Sequence, residues 1–173
     1  MVTGVQTCAL PISTVLTTDL DTGATSAIAG AGEGPAMSIA VDSATNRAAV
    51  PTGCSSGTTI DTATSTLGIY DLAARTATAA TFRGLSGAYV AFDPQHGLIL
   101  VTQPIPFDVT TNNNSQSALL VFDVQGRLLA SHESFNLLNF GLAFNQAHLQ
   151  LDPAHRTGYF LGPLGQQLEP FSY

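Results

Sequence analysis

Six aspartates recur at near-regular intervals and are the first residues of this chain whose type and spacing invite a chemical reading. Asp19, Asp71 and Asp123 lie 52 and 52 residues apart, in TTDLDTGAT, IYDLAARTA and VFDVQGRLL. Asp42, Asp93 and Asp152 lie 51 and 59 apart, in SIAVDSATNRAAV, YVAFDPQHGLILV and LQLDPAHRTGYFL. Carboxylates can bind hard cations or move protons. So can the groups between them: Glu33, Asp61 and Asp108, with Asn112 and Asn113 as further oxygen ligands. Histidine adds a third possibility. His96 (DPQHG) and His155 (DPAHR) recur at equivalent turns, which invites a metal reading. Turns of consecutive units lie far apart, however, so hairpin-turn chemistry is expected for both. His148 differs, because it shares a register position with Tyr89 and Ser38, and Gln150 follows on the same side. The chain has no GxSxG, no HExxH and no phosphate-loop glycine pattern. No catalytic residue, metal site or cofactor is therefore assigned. Cys54 sits in a Ser/Gly/Thr loop and is read as an incidental thiol.

The elements that must position these residues follow from the repeat. Self-similarity at about fifty residues indicates an array of small sheets, and a β-propeller is the leading architecture. Strands are predicted near 37–42, 46–51, 66–71 and 75–82, and again near 88–93, 97–102, 118–123 and 127–134. A third unit gives 147–152, 157–162 and 167–172, and VLTTDLDTGATSAI supplies two strands ahead of the first. The runs are rich in Val, Ile, Leu, Thr and aromatics and are too short for helices. The expected organisation is 14–30 as the end of one blade, 37–82 and 88–134 as blades, and 147–173 as the start of another. This is an all-β, partial β-propeller of about three four-stranded antiparallel blades. A β-sandwich is the alternative, although it does not explain two markers sharing one period.

Propeller strands alternate in direction, so connections sort by face. Short turns join strands one to two and three to four. The longer segments 51–66, 103–117 and 136–146 all fall on the opposite face. Loops built out from a rigid scaffold are where binding concentrates. The candidate ligand-binding residues are accordingly Glu33, Asp61, Tyr89, Asp108, Asn112, Asn113, His148 and Gln150.

The residue set IxxDxxxxRxxV resembles the YVTN/NHL-like and lactonase-like bacterial propeller repeats. The resemblance spans 14–173 and implies a fold, with no catalytic residues carried over. On this reading the chain is a non-enzymatic scaffold for a protein or glycan partner. A lactonase-like or other metal-assisted hydrolase is the rival, on fold analogy alone.

Composition narrows the partners. The net charge is −7, from twelve acidic residues against five arginines and no lysine. Such a chain is a poor phosphate binder, which argues against nucleic acid. No apolar run is long enough to span a bilayer as a helix, so membrane insertion is not expected. Residues 2–12, VTGVQTCALPI, resemble a translated sequencing adapter, and 1–13 are set aside as a non-native leader. The remainder reads as an internal fragment that self-associates through bare sheet faces. Low charge with abundant Ala, Thr, Gly and Ser suits an extracellular or periplasmic protein.

Overall fold

Strand-forming runs and tight turns alternate along the whole described chain. The computed structural model describes residues 14–32, 36, 38–53, 64–83, 89–104, 117–135, 148–161 and 168–173. These hold four antiparallel sheets and no α-helix. The first sheet pairs β1 (Val15–Thr18) with β2 (Thr25–Ile28). The second runs in order through β3 (Ala40–Asp42), β4 (Arg47–Gly53), β5 (Thr64–Asp71) and β6 (Thr76–Arg83). The third repeats this with β7 (Tyr89–Asp93), β8 (Leu98–Pro104), β9 (Ser117–Asp123) and β10 (Leu128–Phe135). The fourth contains β11 (His148–Asp152), β12 (Thr157–Leu161) and β13 (Leu168–Ser172).

Each ladder aspartate ends a strand, or in the case of Asp19 directly follows one, and its carboxylate bonds within the turn that follows. The Asp19 carboxylate accepts the N–H groups of Asp21 and Thr22, both at 2.9 Å. Asp42 accepts Ala44 N–H at 3.0 Å together with the Thr45 hydroxyl. Asp71 takes Ala74 N–H at 2.7 Å, and Asp93 takes His96 N–H at 3.1 Å. Asp123 accepts from Gln125 and Arg127. These bonds satisfy donors that a hairpin turn would otherwise leave unpaired. The chain then reverses through one left-handed residue. Gly23, Asn46, Arg75, Gly97 and Arg156 each stand four positions after their aspartate, with φ between 50° and 71°. After Asp123 the left-handed residue is Gly126, one position earlier, at φ 88°.

Side chains alternate across each sheet, and both faces of the two interior sheets are packed. In β8, Ile99 and Val101 share a core with Leu67, Ile69 and Phe82 of the second sheet. Leu98 and Leu100, which alternate with them, share another with Leu149 and Leu151 of the fourth. In β4, Ala48 and Val50 join Val15 and Ile28 of the first sheet, whereas Ala49 joins the core shared with the third. Burial of each Val, Leu or Ile side chain among these contributes about 2 kcal/mol. Phe82 and Phe122 meet edge to face across the second and third sheets, with ring centroids 5.7 Å apart. Hydrogen bonds tie neighbours at the rim: Arg75 to the Ala27 carbonyl, and Arg47 to the Val124 carbonyl, each at 3.2 Å. A sandwich packs one face of each sheet and leaves the other to solvent. Here successive sheets stack face to face in chain order, which is the arrangement of propeller blades.

Two details depart from the sequence expectation. The inner strand expected over 37–42 pairs continuously only over Ala40–Asp42. Ala36 bridges Thr52 in a register one residue out of step with Ala40 opposite Ala49, so the strand is bulged between them. The DPAHR turn forms a short 3-10 segment, Pro153–His155, with proline at its start.

Candidate functional site

The first strand of each blade is its edge strand: among the described residues β3, β7 and β11 each pair with one neighbouring strand. These three strands lie side by side along the inside of the arc. They line an open cavity of about 320 Å³, together with the turns that follow them. Val41, Ser43, Ala91, Pro94, Gln150 and Pro153 contribute to its wall. A strand paired on one edge leaves alternate N–H and C=O groups on the other. The cavity is therefore faced by main-chain donors and acceptors from three strands.

The sequence puts His148, Tyr89 and Ser38 at one register position, with Gln150 on the same side. In β7 both side-chain faces pack toward neighbouring sheets. Val90 and Phe92 belong with the core against the second sheet, while Tyr89 packs with the core shared with the fourth. It is the strand edge that meets the axis, because the sheets themselves stand face to face.

Of the candidate residues, Gln150 is exposed on the cavity wall. Tyr89 is half-buried and opposes Thr102 at the start of β7. His148 opens β11 opposite Leu161. Glu33, Asp61, Asp108, Asn112 and Asn113 lie outside the described residues, as does most of the segments 51–66, 103–117 and 136–146. Among the described residues, no three His, Cys, Asp or Glu side chains are grouped so as to hold a metal ion.

The recurring histidines serve their own turns. His96 Nδ1 lies 2.7 Å from Asp93 Oδ2, and His155 Nδ1 lies 2.8 Å from Asp152 Oδ2. The His155 side-chain hydrogen bond, opposed by partial burial, holds the Asp152 carboxyl below its usual 3.8. Backbone N–H groups do the same for Asp19, from Thr22 and then Asp21. For Asp123 the Arg127 backbone N–H is the main cause, against a smaller opposing effect of burial.

One constellation was not legible in the sequence. The fully buried Asp93 carboxylate also accepts the Tyr173 hydroxyl at 3.1 Å, joining the third sheet to the fourth. Burial first, and then this bond to Asp93, push the Tyr173 phenol up to about 12. The Arg156 guanidinium lies over the Tyr173 ring, 6.0 Å from its centroid. These partners are 80 residues apart, and no local pattern announces such a pairing.

Fold and site together define a β-propeller arc with an axial cavity. No family model matches the chain, and no curated protein matches it. Among solved structures it is similar to the β-propeller domain of the Trilobed protease from Pyrococcus furiosus, described as having an open velcro topology. That similarity has a TM-score of 0.44 at 11% identity and covers 92% of this chain and 49% of the other. The chain thus spans about half the length of that structure.

Proposed function

We propose that this protein is a non-catalytic, YVTN/NHL-like bacterial propeller that acts outside the cytoplasm as a scaffold for a protein or glycan partner. On this reading 1–13 are a non-native leader, and the segments 51–66, 103–117 and 136–146 carry the contacts. Asp61, Asp108, Asn112 and Asn113 lie on them, and Glu33 precedes an innermost strand in the sequence. The supporting observation is how the described carboxylates are used. Five of the six ladder aspartates accept turn backbone N–H groups, and the sixth, Asp152, holds its turn histidine. Carboxylates committed to turns hold the scaffold and leave the chemistry to the loops.

The test is to immobilise the chain and measure binding to a panel of neutral glycans and defined peptides. Lactone hydrolysis is assayed in parallel, with and without calcium or zinc. Saturable binding that disappears when the three segments are replaced by Gly/Ser linkers is expected, with no hydrolysis above background. Metal-dependent turnover of a lactone would establish the hydrolase in its place.

A further inference from the structure

We infer that the axial cavity between β3, β7 and β11 binds a small, neutral saccharide. The inference rests on the scaffold reading and narrows it, placing a ligand at the turn end of the inner strands rather than on the long loops.

Charge decides the class. Four of the five arginines have described side-chain contacts, and all of these lie elsewhere. Arg47 binds the Val124 carbonyl, Arg75 the Ala27 carbonyl and Arg127 the Asp123 carboxylate, while Arg156 stacks on Tyr173. Among the described residues the wall holds no cation, which on a chain of net charge −7 disfavours an anion. Asp42 is the one acidic residue on the wall, and its two oxygens accept Ala44 N–H and the Thr45 hydroxyl. A cation would find a single carboxylate there, and among the described residues no three His, Cys, Asp or Glu side chains are grouped to hold it. A neutral ligand remains.

Hydrogen-bond geometry narrows the class again. The edges of three adjacent strands face the cavity, each alternating donor and acceptor. An extended peptide presents its own fixed alternation along one line and can match one edge. Hydroxyl groups donate and accept, and a polyol ring directs them around its whole perimeter. Val41, 59% exposed, and the rings of Pro94 and Pro153 offer apolar surface for the C–H face of such a ring. The volume, about 320 Å³, lies at the small end of ligand pockets, which run from roughly 300 to 1,000 Å³. One or two sugar units suit it.

The test is an amide-resolved NMR titration of the full chain with methyl α-glucopyranoside, methyl α-mannopyranoside and N-acetylglucosamine, with glucuronate as the anionic control. At least one neutral sugar should give saturable shifts confined to residues 40–43, 90–94 and 149–153, and glucuronate none. Ser43→Trp and Gln150→Trp, both at exposed wall positions, should each weaken binding at least about tenfold while leaving distant amides unshifted. Unchanged affinity in both variants would overturn the inference. Shifts near the long segments would also overturn it but leave the scaffold reading standing. Absence of saturable shifts overturns it too, and the scaffold reading is then decided by the glycan and peptide panel.

Discussion

The Asp93 carboxylate sits fully out of solvent and accepts three hydrogen bonds: His96 N–H, the His96 imidazole and the Tyr173 hydroxyl. Truncating a buried acceptor strands its donors, so Asp93→Ala should lower unfolding free energy by about 2–3 kcal/mol in urea titrations. Asp19→Ala, at an exposed turn, should cost far less. Equal losses would mean that burial of Asp93 carries no special weight. Tyr173 provides a pH signature. Its folded pKa, about 12, lies above the usual 10.0, so folding favours the protonated phenol. That contribution is complete below pH 10 and is lost as pH rises toward about 12. Tyrosinate absorbance should show one late-titrating phenol, absent from Tyr173→Phe. The turn aspartates work in the opposite direction. Asp19, Asp123 and Asp152 have lowered pKa values, so their contributions are present above 3.8 and fade as pH falls through the lower folded values.

At the level of the hairpin, an aspartate cap and a left-handed residue together set the turn. Gly97, at φ 65°, has open space where a Cβ would stand, so Gly97→Ala should cost only the backbone strain, about 1 kcal/mol. At Gly126 the same substitution would also bring a Cβ to 2.9 Å from the Ala80 Cβ in the second sheet. Gly126→Ala should therefore destabilise more than Gly97→Ala by thermal melting, and the reverse order would contradict the close approach. Much of this level was legible in the sequence. The two aspartate markers and the short runs of Val, Ile, Leu, Thr and aromatics locate the hairpins and the strand order, whereas the left-handed residue that closes each turn was not read there. The bulge near Ser38 was not, since it depends on pairing between Ala36 and Thr52 across the sheet.

Across the whole molecule, equivalent positions differ in exposure according to what lies beside them. Val90 and Phe92 pack against the second sheet, and Leu149 and Leu151 against the third. Their counterparts Ile39 and Val41 are 56% and 59% exposed. At the other end, Tyr159 is 37% exposed, although Ala49 and Leu100 at the same register are fully buried. The period predicted the stacking. It did not predict that Thr18 and Thr25 on the outward face of the first sheet, and Gln150 and Ser172 on that of the fourth, would make those faces partly polar. Likewise the candidate side chains were chosen for their chemistry, whereas the cavity lies along the edges of three strands, which no residue type announces. Self-association through the exposed apolar residues is expected to be concentration-dependent. Sedimentation velocity should show Ile39→Asp with Val41→Asp shifting the chain toward monomer, and an unchanged distribution would place the contact elsewhere.

The stacked-blade arrangement rests most directly on neighbouring residues of one strand facing different sheets. Methyl-resolved NOE spectroscopy tests this in β8. Ile99 and Val101 should show cross-peaks to Leu67 and Ile69, and Leu98 and Leu100 to Leu149 and Leu151, with no overlap between the two sets. If all four residues contacted one sheet, or if Leu98 and Leu100 faced solvent, the sheets would form a two-layer sandwich and the axial cavity would not exist.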